Sequence, residues 1–356
     1  MPERRGKSND QAERGASLPR RDSRGNRSKK IEHHTPFSRG TIPTTPHPRV
    51  IITGAAGLVG QNLILRLKEG GIAAITGIDK HPHNTGVLRA LHPDIDVIAA
   101  NLAEPGGWAQ AFRAGDVLIL AHAQIGGQDE EPFLLNNVIA TRNVLDAAHA
   151  GGVAYIVHIS SSVVNSAADD FYTRTKRQQE MMVADCGIPH VILRPTLMFG
   201  LFDRKHLGWL GRFMRRWPVF PLPGNGRFAR QPLYVKDFCA LIIECLHRRP
   251  AGQSYNISGL EVIDYADLIR AIKRATGAAT IVVPIPIWIF RLLLQTYALI
   301  DKDPPFTSRQ LAALTIPELF DVIDWPGLFG VQPTKLATAL AETFQSGPYA
   351  DIVLEF

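Results

Sequence analysis

The stretch Arg49-Val-Ile-Ile-Thr-Gly-Ala-Ala-Gly-Leu-Val-Gly60 decides the fold. Its β-branched run, Val50 to Ile52, is typical of a buried strand in a parallel sheet. Three glycines follow at intervals of three residues, and then apolar residues recur four apart, as on one face of a helix. The order strand, glycine turn, helix therefore predicts the first unit of a doubly wound α/β fold.

The three glycines suit the three tasks of a dinucleotide-binding turn. Gly54, Gly57 and Gly60 permit a tight bend, a close approach of the backbone to a pyrophosphate, and close packing of helix on strand. We expect the phosphates at the start of the helix, beside Leu58 and Val59. Free N–H groups and the positive end of the helix dipole favour anions there.

An acidic residue at the end of the second predicted strand indicates which dinucleotide is bound. That strand, Ala73 to Ile78, leads into Asp79, 25 residues after Gly54. A carboxylate at this point accepts hydrogen bonds from the ribose hydroxyls of NAD and repels the 2′-phosphate of NADP. NAD is therefore the expected cofactor, although Lys80 and His81 follow directly and weaken the preference.

The basic character of the chain is confined to its first residues. The net charge is +6 and the pI about 9.3. Residues 1–48 hold 11 Lys/Arg and 5 Asp/Glu, so the remainder is neutral overall, which argues against a nucleic-acid-binding body. The composition of residues 1–48 predicts a disordered tail. The three cysteines lack metal-ligand spacing, so we predict no metal site and a reducing, cytoplasmic location.

Alternating strand and helix patterns continue from Val50, which predicts a Rossmann-type parallel sheet with right-handed crossovers. Further strands are predicted at 97–100, 117–120, 155–159 and 191–193. We assign a sheet domain to residues 49–200, with 231–258 returning to it, a smaller and mainly helical substrate lobe to 201–230 and 259–345, and a C-terminal tail to 346–356.

Three residue types that perform proton transfer follow the fifth predicted strand. The run Ser160-Ser161-Ser162 comes first, and Tyr172 and Lys176 follow, four apart and therefore on one helical face. A free phenol has a pKa of about 10, so a base at neutral pH needs roughly 4 kcal/mol of phenolate stabilisation. We expect the Lys176 ammonium to supply much of it. Ser162 is the serine expected to hydrogen-bond the substrate oxygen.

Taken together, these motifs resemble the extended short-chain dehydrogenases/reductases of the NAD-dependent epimerase/dehydratase family. The matching pieces span about residues 49–260 in family order: Thr53–Gly60, Asp79, Asn101-Leu102, Asn137–Leu145, Ser160–Ser162, Tyr172 with Lys176, Leu193-Arg194-Pro195 and Val235-Lys236-Asp237. The resemblance implies Ser162, Tyr172 and Lys176 as the catalytic trio. It also implies Arg230 as a ligand of a substrate diphosphate, with homodimerisation through two long helices.

The same resemblance extends the expected cofactor site along the ends of two further strands. Asn101 and Leu102 follow the third predicted strand, on the adenine side, and Ala121 follows the fourth. The sequence also departs from the family pattern. Asn101 stands where Asp is usual, and Val164-Asn165-Ser166 replaces Val-Tyr-Gly. The interval from the serines to the tyrosine is also short, which weakens the assignment of a sugar substrate more than that of the cofactor.

Three functions therefore stay open at this point. The first is an NAD-dependent epimerase or reductase of a nucleoside-diphosphate sugar. The second is a dehydrogenase or isomerase of a steroid- or isoprenoid-like alcohol, which the apolar C-terminal lobe would suit. The third is a nucleotide-holding assembly protein similar to the accessory subunits of respiratory complex I. The presence of both Tyr172 and Lys176 favours an enzyme.

Two segments of the lobe have a strongly biased composition. Residues 201–230 carry seven basic side chains and one acid, which is typical either of a solvated helix face or of arginines that bind a diphosphate. Residues 281–300 are strongly apolar, but Arg291, Pro284 and Pro286 interrupt them. We therefore predict a helix buried in the lobe, with a segment that lies on a membrane surface as the alternative, and no transmembrane segment.

Overall fold

The computed structural model describes residues 48–300, 323–345 and 347–355, with only the backbone at 297–300 and 348. The predicted tail, except for its last residue, and residues 301–322 lie outside this range. Strands over the described residues are β1 (Val50–Thr53), β2 (Ile75–Asp79), β3 (Asp96–Ala99), β4 (Val117–Leu120), β5 (Tyr155–Ile159), β6 (His190–Pro195), β7 (Met198–Phe199), β8 (Val219–Pro223), β9 (Ala229–Arg230), β10 (Leu233–Tyr234), β11 (Gln253–Ile257), β12 (Ile263–Asp264) and β13 (Ile281–Ile285).

The helices are interleaved with these strands. They are α1 (Leu58–Glu69), α2 (Pro82–Leu91), α3 (Glu131–Phe133), α4 (Ala140–Gly151), α5 (Phe171–Asp185), α6 (Leu207–Arg216), α7 (Val235–Arg248), α8 (Tyr265–Thr276), α9 (Ile287–Ile300), α10 (Trp325–Phe329) and α11 (Leu336–Gln345). A π-helical stretch, Leu134–Ile139, joins α3 to α4, and short 3-10 turns occur at Gly107–Ala111, Ser162–Asn165 and Gly347–Tyr349.

Seven parallel strands form the central sheet in the order β11-β6-β5-β4-β1-β2-β3. The order reverses between β1 and β4, and the carboxyl ends of parallel strands at such a point form the usual ligand crevice. The predicted Rossmann-type fold is confirmed. Strand β11, which pairs with β6, had no strand of its own in the sequence prediction, although its residues were assigned to this domain.

Alternating side chains of the strands pack into two separate cores. Val50 and Ile52 of β1 lie in a cluster with α1, α7 and α10, whereas Ile51 lies in a second cluster with α4 and α5. This is the period-2 alternation of a sheet covered on both faces. All four residues of β1 and of β4 are buried.

A third apolar cluster forms the core of the smaller lobe and joins α6, α8 and α11. Helix α10, which the sequence analysis assigned to this lobe, contacts the sheet domain. Phe329 packs edge-to-face on Tyr255 of the sheet at 5.2 Å between ring centroids, and the Trp325 indole donates to the Ser258 carbonyl at 3.0 Å. The sequence pattern indicated that residues 325–329 are helical and apolar, but it contained no information on which core they join.

The C-terminal residues pack against the sheet domain. Leu354 is buried against Leu65 and Phe202. The Glu355 N–H donates to the Asn84 side chain at 2.8 Å, and the Asn84 amide donates to the Glu355 carbonyl at 3.0 Å. Residues 347–355 are thus fixed to the start of α2.

The prediction of a buried helix near residue 290 is wrong. Strand β13 and helix α9 occupy this region, and the described side chains of α9 are largely exposed, with Trp288 at 68% and Leu292 and Leu293 at 52% each. In the described part of the chain no helix has the length and apolar content needed to cross a membrane. Apolar composition alone does not distinguish a buried helix from one that lies on a surface.

Candidate active site

The glycine turn at the carboxyl end of β1 has no room for side chains at two of its three glycines. Gly54 has φ +69°, and a Cβ on it would lie 2.8 Å from the His122 backbone. A Cβ on Gly60 would lie 2.3 Å from the Ala55 carbonyl oxygen, so this glycine lets α1 pack closely on the turn. Gly57 lies where α1 begins, in extended backbone.

The first turn of α1 is suited to binding an anion. No side chain among the described residues caps the helix, so the N–H groups of Leu58, Val59 and Gly60 face the crevice at the end of the sheet. Asp79, at the end of β2, accepts hydrogen bonds from the N–H groups of Ala56 and His81, both at 3.0 Å. A glycine cradle, an uncapped helix and a carboxylate at this strand end fit the pyrophosphate and adenosine ribose of NAD.

The other predicted cofactor residues fall into two groups. Ala121 follows directly after β4 and Asn101 lies two residues after the end of β3, at the same edge of the sheet as Asp79. Asn101 accepts from the Ala103 N–H at 3.2 Å and donates to Glu104 at 2.6 Å. Leu102, in contrast, is a buried core residue, so only its backbone is positioned to border the crevice.

His122 is a site residue for which the sequence analysis proposed no role. Its Nδ1 lies 2.8 Å from the Thr53 hydroxyl and its Nε2 lies 3.1 Å from the Thr141 hydroxyl. Burial lowers the pKa of this imidazole to about 3, so it is neutral at physiological pH. The ring therefore ties the end of β1 to α4 and fixes the floor of the crevice.

Ser161 is the serine whose side chain affects Tyr172, because its interaction with the phenol lowers the pKa of that group. Ser162 is buried at the start of the 3-10 turn Ser162–Asn165, and the Ser160 hydroxyl donates to Glu180 at 2.5 Å. Ser162, the serine predicted to hold the reacting oxygen, is therefore less accessible than Ser161, and its role stays a prediction. Three identical residues in sequence gave no signal for the choice, because the 3-10 turn decides which hydroxyl faces α5.

The phenol of Tyr172 is not made more acidic by its surroundings. Burial raises the pKa of Tyr172, the Asp170 carboxylate adds to this rise, and the hydrogen bond with Ser161 opposes it. Asp170 is the N-cap of α5, where it accepts from the Thr173 N–H at 2.8 Å. The predicted lowering of the tyrosine pKa by Lys176 is therefore not what the structure shows.

Lys176 lies one turn further along α5 and is 1% exposed. Its ammonium donates to the Ile159 carbonyl at the end of β5, at 2.9 Å. Burial lowers the pKa of Lys176 to about 7, and the Glu180 carboxylate opposes this shift. The amine therefore exchanges its proton close to neutral pH, much more easily than an exposed lysine does.

A largely buried ion pair between Glu180 and Arg194 holds α5 against the sheet. Glu180, one turn after Lys176, accepts from Arg194 Nε at 2.9 Å and from its Nη2 at 2.6 Å. Ser160 donates to the same carboxylate. These contacts hold α5 against β5 and β6, and they give the Leu193-Arg194-Pro195 motif a structural task that the sequence did not predict.

The basic residues of the lobe do not converge on one point. Arg212 donates to the carbonyls of Asp203 and Arg204, Arg215 donates to the carbonyl of Phe344, and Arg227 pairs with Asp264. Arg230, the predicted diphosphate ligand, is buried on β9, where it donates to the Ala229 carbonyl at 2.7 Å. Most of this positive charge therefore stabilises the fold of the lobe.

A Rossmann-type sheet with a glycine cradle, and with serine, tyrosine and lysine at the end of β5, defines a dinucleotide-dependent dehydrogenase or epimerase. The family model of the NAD dependent epimerase/dehydratase family matches residues 50–258, more than half of the chain. The chain belongs to this family. It is an enzyme of the extended short-chain dehydrogenase/reductase type, as the sequence motifs predicted.

Proteins similar to this chain have diverse substrates in their names. UDP-glucose 4-epimerase of Vibrio cholerae is 23% identical over 273 residues, 68% of this chain and 80% of the epimerase. A 3 beta-hydroxysteroid dehydrogenase/Delta 5-->4-isomerase of Mycobacterium tuberculosis is 26% identical over 267 residues, 66% of this chain and 71% of that enzyme. The structure of UDP-glucuronic acid 4-epimerase from Bacillus cereus with NAD aligns at a TM-score of 0.65 and 20% identity. It covers 82% of this chain and 96% of that one, and shares the fold.

Proposed function

We propose that this protein is an NAD-dependent oxidoreductase in which Tyr172 exchanges a proton with the oxygen of a substrate hydroxyl or carbonyl group. The observation that carries the proposal is the placement of Tyr172 and Lys176 one turn apart on α5, with the Lys176 amine 2.9 Å from the Ile159 carbonyl at the carboxyl end of β5 and Ser161 two residues beyond that end. NAD, when bound, supplies or accepts the hydride at the substrate carbon.

The protein residues have separate tasks in this scheme. The first turn of α1 holds the pyrophosphate, and Asp79 holds the adenosine ribose. Ser161 donates a hydrogen bond that orients the substrate oxygen, and Tyr172 donates or removes the proton on it. Because burial raises the pKa of Tyr172, its phenol stays protonated at neutral pH and is ready to donate to a carbonyl.

The buried Arg230 favours a nucleoside-diphosphate sugar as the substrate. A guanidinium on β9 binds phosphate oxygens through paired hydrogen bonds better than an ammonium does. The relative named as a UDP-glucose 4-epimerase supports this class. On this basis the reaction is the epimerisation or reduction of the sugar, and NAD is preferred over NADP because of Asp79.

A hydrophobic alcohol or ketone, such as a steroid- or isoprenoid-like compound, is the second candidate. The observation that favours it is that Arg212, Arg215 and Arg227 are held by groups of the chain itself, so these three are not directed at a diphosphate. The relative named as a hydroxysteroid dehydrogenase supports this class. Homodimerisation and a cytoplasmic location remain predictions.

Three variants test the catalytic assignment, two of which form a matched pair. We expect Tyr172→Phe to lower kcat by about 10²–10⁴-fold while NAD still raises the melting temperature. Ser161→Ala should lower kcat and Ser162→Ala should leave it nearly unchanged. Comparable loss in both serine variants, or full activity in Tyr172→Phe, contradicts the proposal.

A thermal-shift panel with NAD present separates the substrate classes. The substrate is a nucleoside-diphosphate sugar if UDP-sugars raise the melting temperature and sterols and isoprenoid alcohols do not. It is a hydrophobic alcohol or ketone if sterols or isoprenoid alcohols raise the melting temperature and UDP-sugars do not. Arg230→Lys serves as the control, since it should abolish only a shift that comes from a diphosphate.

A further inference from the structure

An apolar surface of the lobe lies on three structural elements, β8, β13 and α9, and has no role in the chemistry above. We call it the α9 face. It consists of exposed side chains that begin just before β8, continue on β13 and end on α9: Trp217, Val219, Ile281, Val283, Trp288, Leu292 and Leu293. Trp288 is 68% exposed and Ile281 is 63% exposed, whereas apolar residues of this size usually lie largely inside a protein.

The fold makes these residues neighbours. Strands β8 and β13 pair in parallel, with Val219 opposite Ile281. Val283 lies two residues further along β13 and therefore on the same side of it as Ile281. Helix α9 starts two residues after β13 ends, and its Trp288 and Leu292 are one turn apart. A continuous apolar patch of this kind marks an interaction site.

The charge of these elements has one sign. Residues 207–219 and 281–300 contain four arginines and no acidic residue. Arg216 and Arg291 are exposed beside the apolar side chains. Arg291 lines a groove of about 560 Å³ together with Phe228, Ile287 and Trp288, so a guanidinium stands at the edge of an apolar depression. The chemistry that complements this surface is apolar in its centre and anionic at its border.

We propose that the α9 face docks on the surface of a lipid bilayer that contains anionic lipids. Helix α9 has apolar residues around most of its circumference and only one charge, and a helix of this type is stable when an apolar medium covers it. The helix lies in the interface and does not span it, because its 14 residues extend only about 21 Å. Exposed tryptophan beside arginine is the composition that binds at the level of the lipid head groups.

Flotation with vesicles tests this proposal on the full chain. We expect the protein to float with phosphatidylcholine vesicles that contain phosphatidylglycerol, and to bind vesicles of phosphatidylcholine alone about tenfold more weakly. The double variant Leu292→Glu with Leu293→Glu should weaken binding to the anionic vesicles by about tenfold or more. Val262→Glu is the matched control, because Val262 is an apolar side chain of similar exposure, 57%, outside the α9 face.

The alternatives give different results. If the double variant floats as well as the unchanged protein, the basic residues 1–48 alone account for binding and the proposal is overturned. If the unchanged protein does not float, but gel filtration shows an oligomer that the double variant loses, a second copy covers the face and the proposal is also overturned. An unaltered thermal shift by NAD shows that the double variant is folded.

Fluorescence measured at saturating lipid adds a readout of which side chain enters the bilayer. Brominated lipids quench a tryptophan only when it enters the bilayer, so they should quench the unchanged protein. The Trp288→Phe variant should lose a large part of that quenching, while the buried Trp108 and Trp325 remain as internal references. Equal quenching in both proteins would contradict the proposed orientation.

Discussion

Lys176 is expected to reduce the stability of the protein that it serves. It is 1% exposed, and burial lowers its pKa from 10.5 to about 7. Between these two values the unfolded chain binds the proton and the native chain does not. Keeping the amine neutral therefore costs about 4 kcal/mol of folding free energy at pH 7.

The variant Lys176→Met removes this cost while filling a similar volume. It also removes the hydrogen bond to the Ile159 carbonyl, a loss of about 1–3 kcal/mol. The net expectation is a gain of roughly 1–3 kcal/mol at pH 7, together with loss of turnover. Lys335→Met, at an exposed position, is the control and should change stability by less than about 0.5 kcal/mol.

The difference in stability between the unchanged protein and Lys176→Met should depend on pH. Because the native pKa is below the unfolded one, the stability of the unchanged protein rises with pH from about 7 to 10.5, relative to the variant. Melting temperatures measured across this window should therefore show a difference that favours Lys176→Met at pH 7 and reverses or vanishes near pH 10. A variant that melts lower than the unchanged protein at pH 7, with a difference independent of pH, refutes the reasoning.

Three further predictions concern the cradle, the cofactor preference and the support of α5. Gly60→Ala should abolish the thermal shift by NAD, because its Cβ would lie 2.3 Å from a carbonyl oxygen. Gly86→Ala is the control: a Cβ at this position of α2 meets no neighbouring atom, so the variant should raise the free energy of unfolding by about 0.5–1 kcal/mol in denaturant titration. Asp79→Asn should improve the ratio of NADP to NAD affinity by about tenfold or more, measured by calorimetry, and an unchanged ratio would contradict the role of the carboxylate. Glu180→Gln should lower the free energy of unfolding by about 2–4 kcal/mol, because it leaves the partly buried Arg194 guanidinium without its counter-charge. Glu69→Gln, in the exposed pair with Arg66, should lower it by less than about 1 kcal/mol, and equal melting temperatures of the two variants would refute this.

The parts of the fold that depend on local pattern could be predicted from the sequence. The β1 strand, the glycine turn and α1 follow from β-branched residues, glycine spacing and apolar periodicity within 20 residues. Asp79 and the Tyr172–Lys176 spacing were likewise found because strand ends and helix turns are local features. Their chemistry needs only the parallel sheet to bring them to one edge.

The remaining features depend on tertiary contacts that have no local signal. The greater exposure of Ser161 had no sequence signal, because the 3-10 turn that begins at Ser162 decides which hydroxyl is buried. The direction of the tyrosine pKa shift was wrong because burial on α5 outweighs the effect of nearby polar groups. The exposure of α9 was also missed, since whether a neighbouring element covers an apolar helix is decided elsewhere in the chain.

The packing of α10 against the sheet affects when the protein can fold during its synthesis on the ribosome. Trp325 and Phe329 complete the core that starts at Val50, so a ribosome must make more than 270 further residues before that core can close. Until then the growing polypeptide presents an unfinished apolar surface, which is a substrate for chaperones and a risk for aggregation. Shortened proteins that stop after the family-matched region should accordingly be poorly folded, even though they retain every proposed catalytic group.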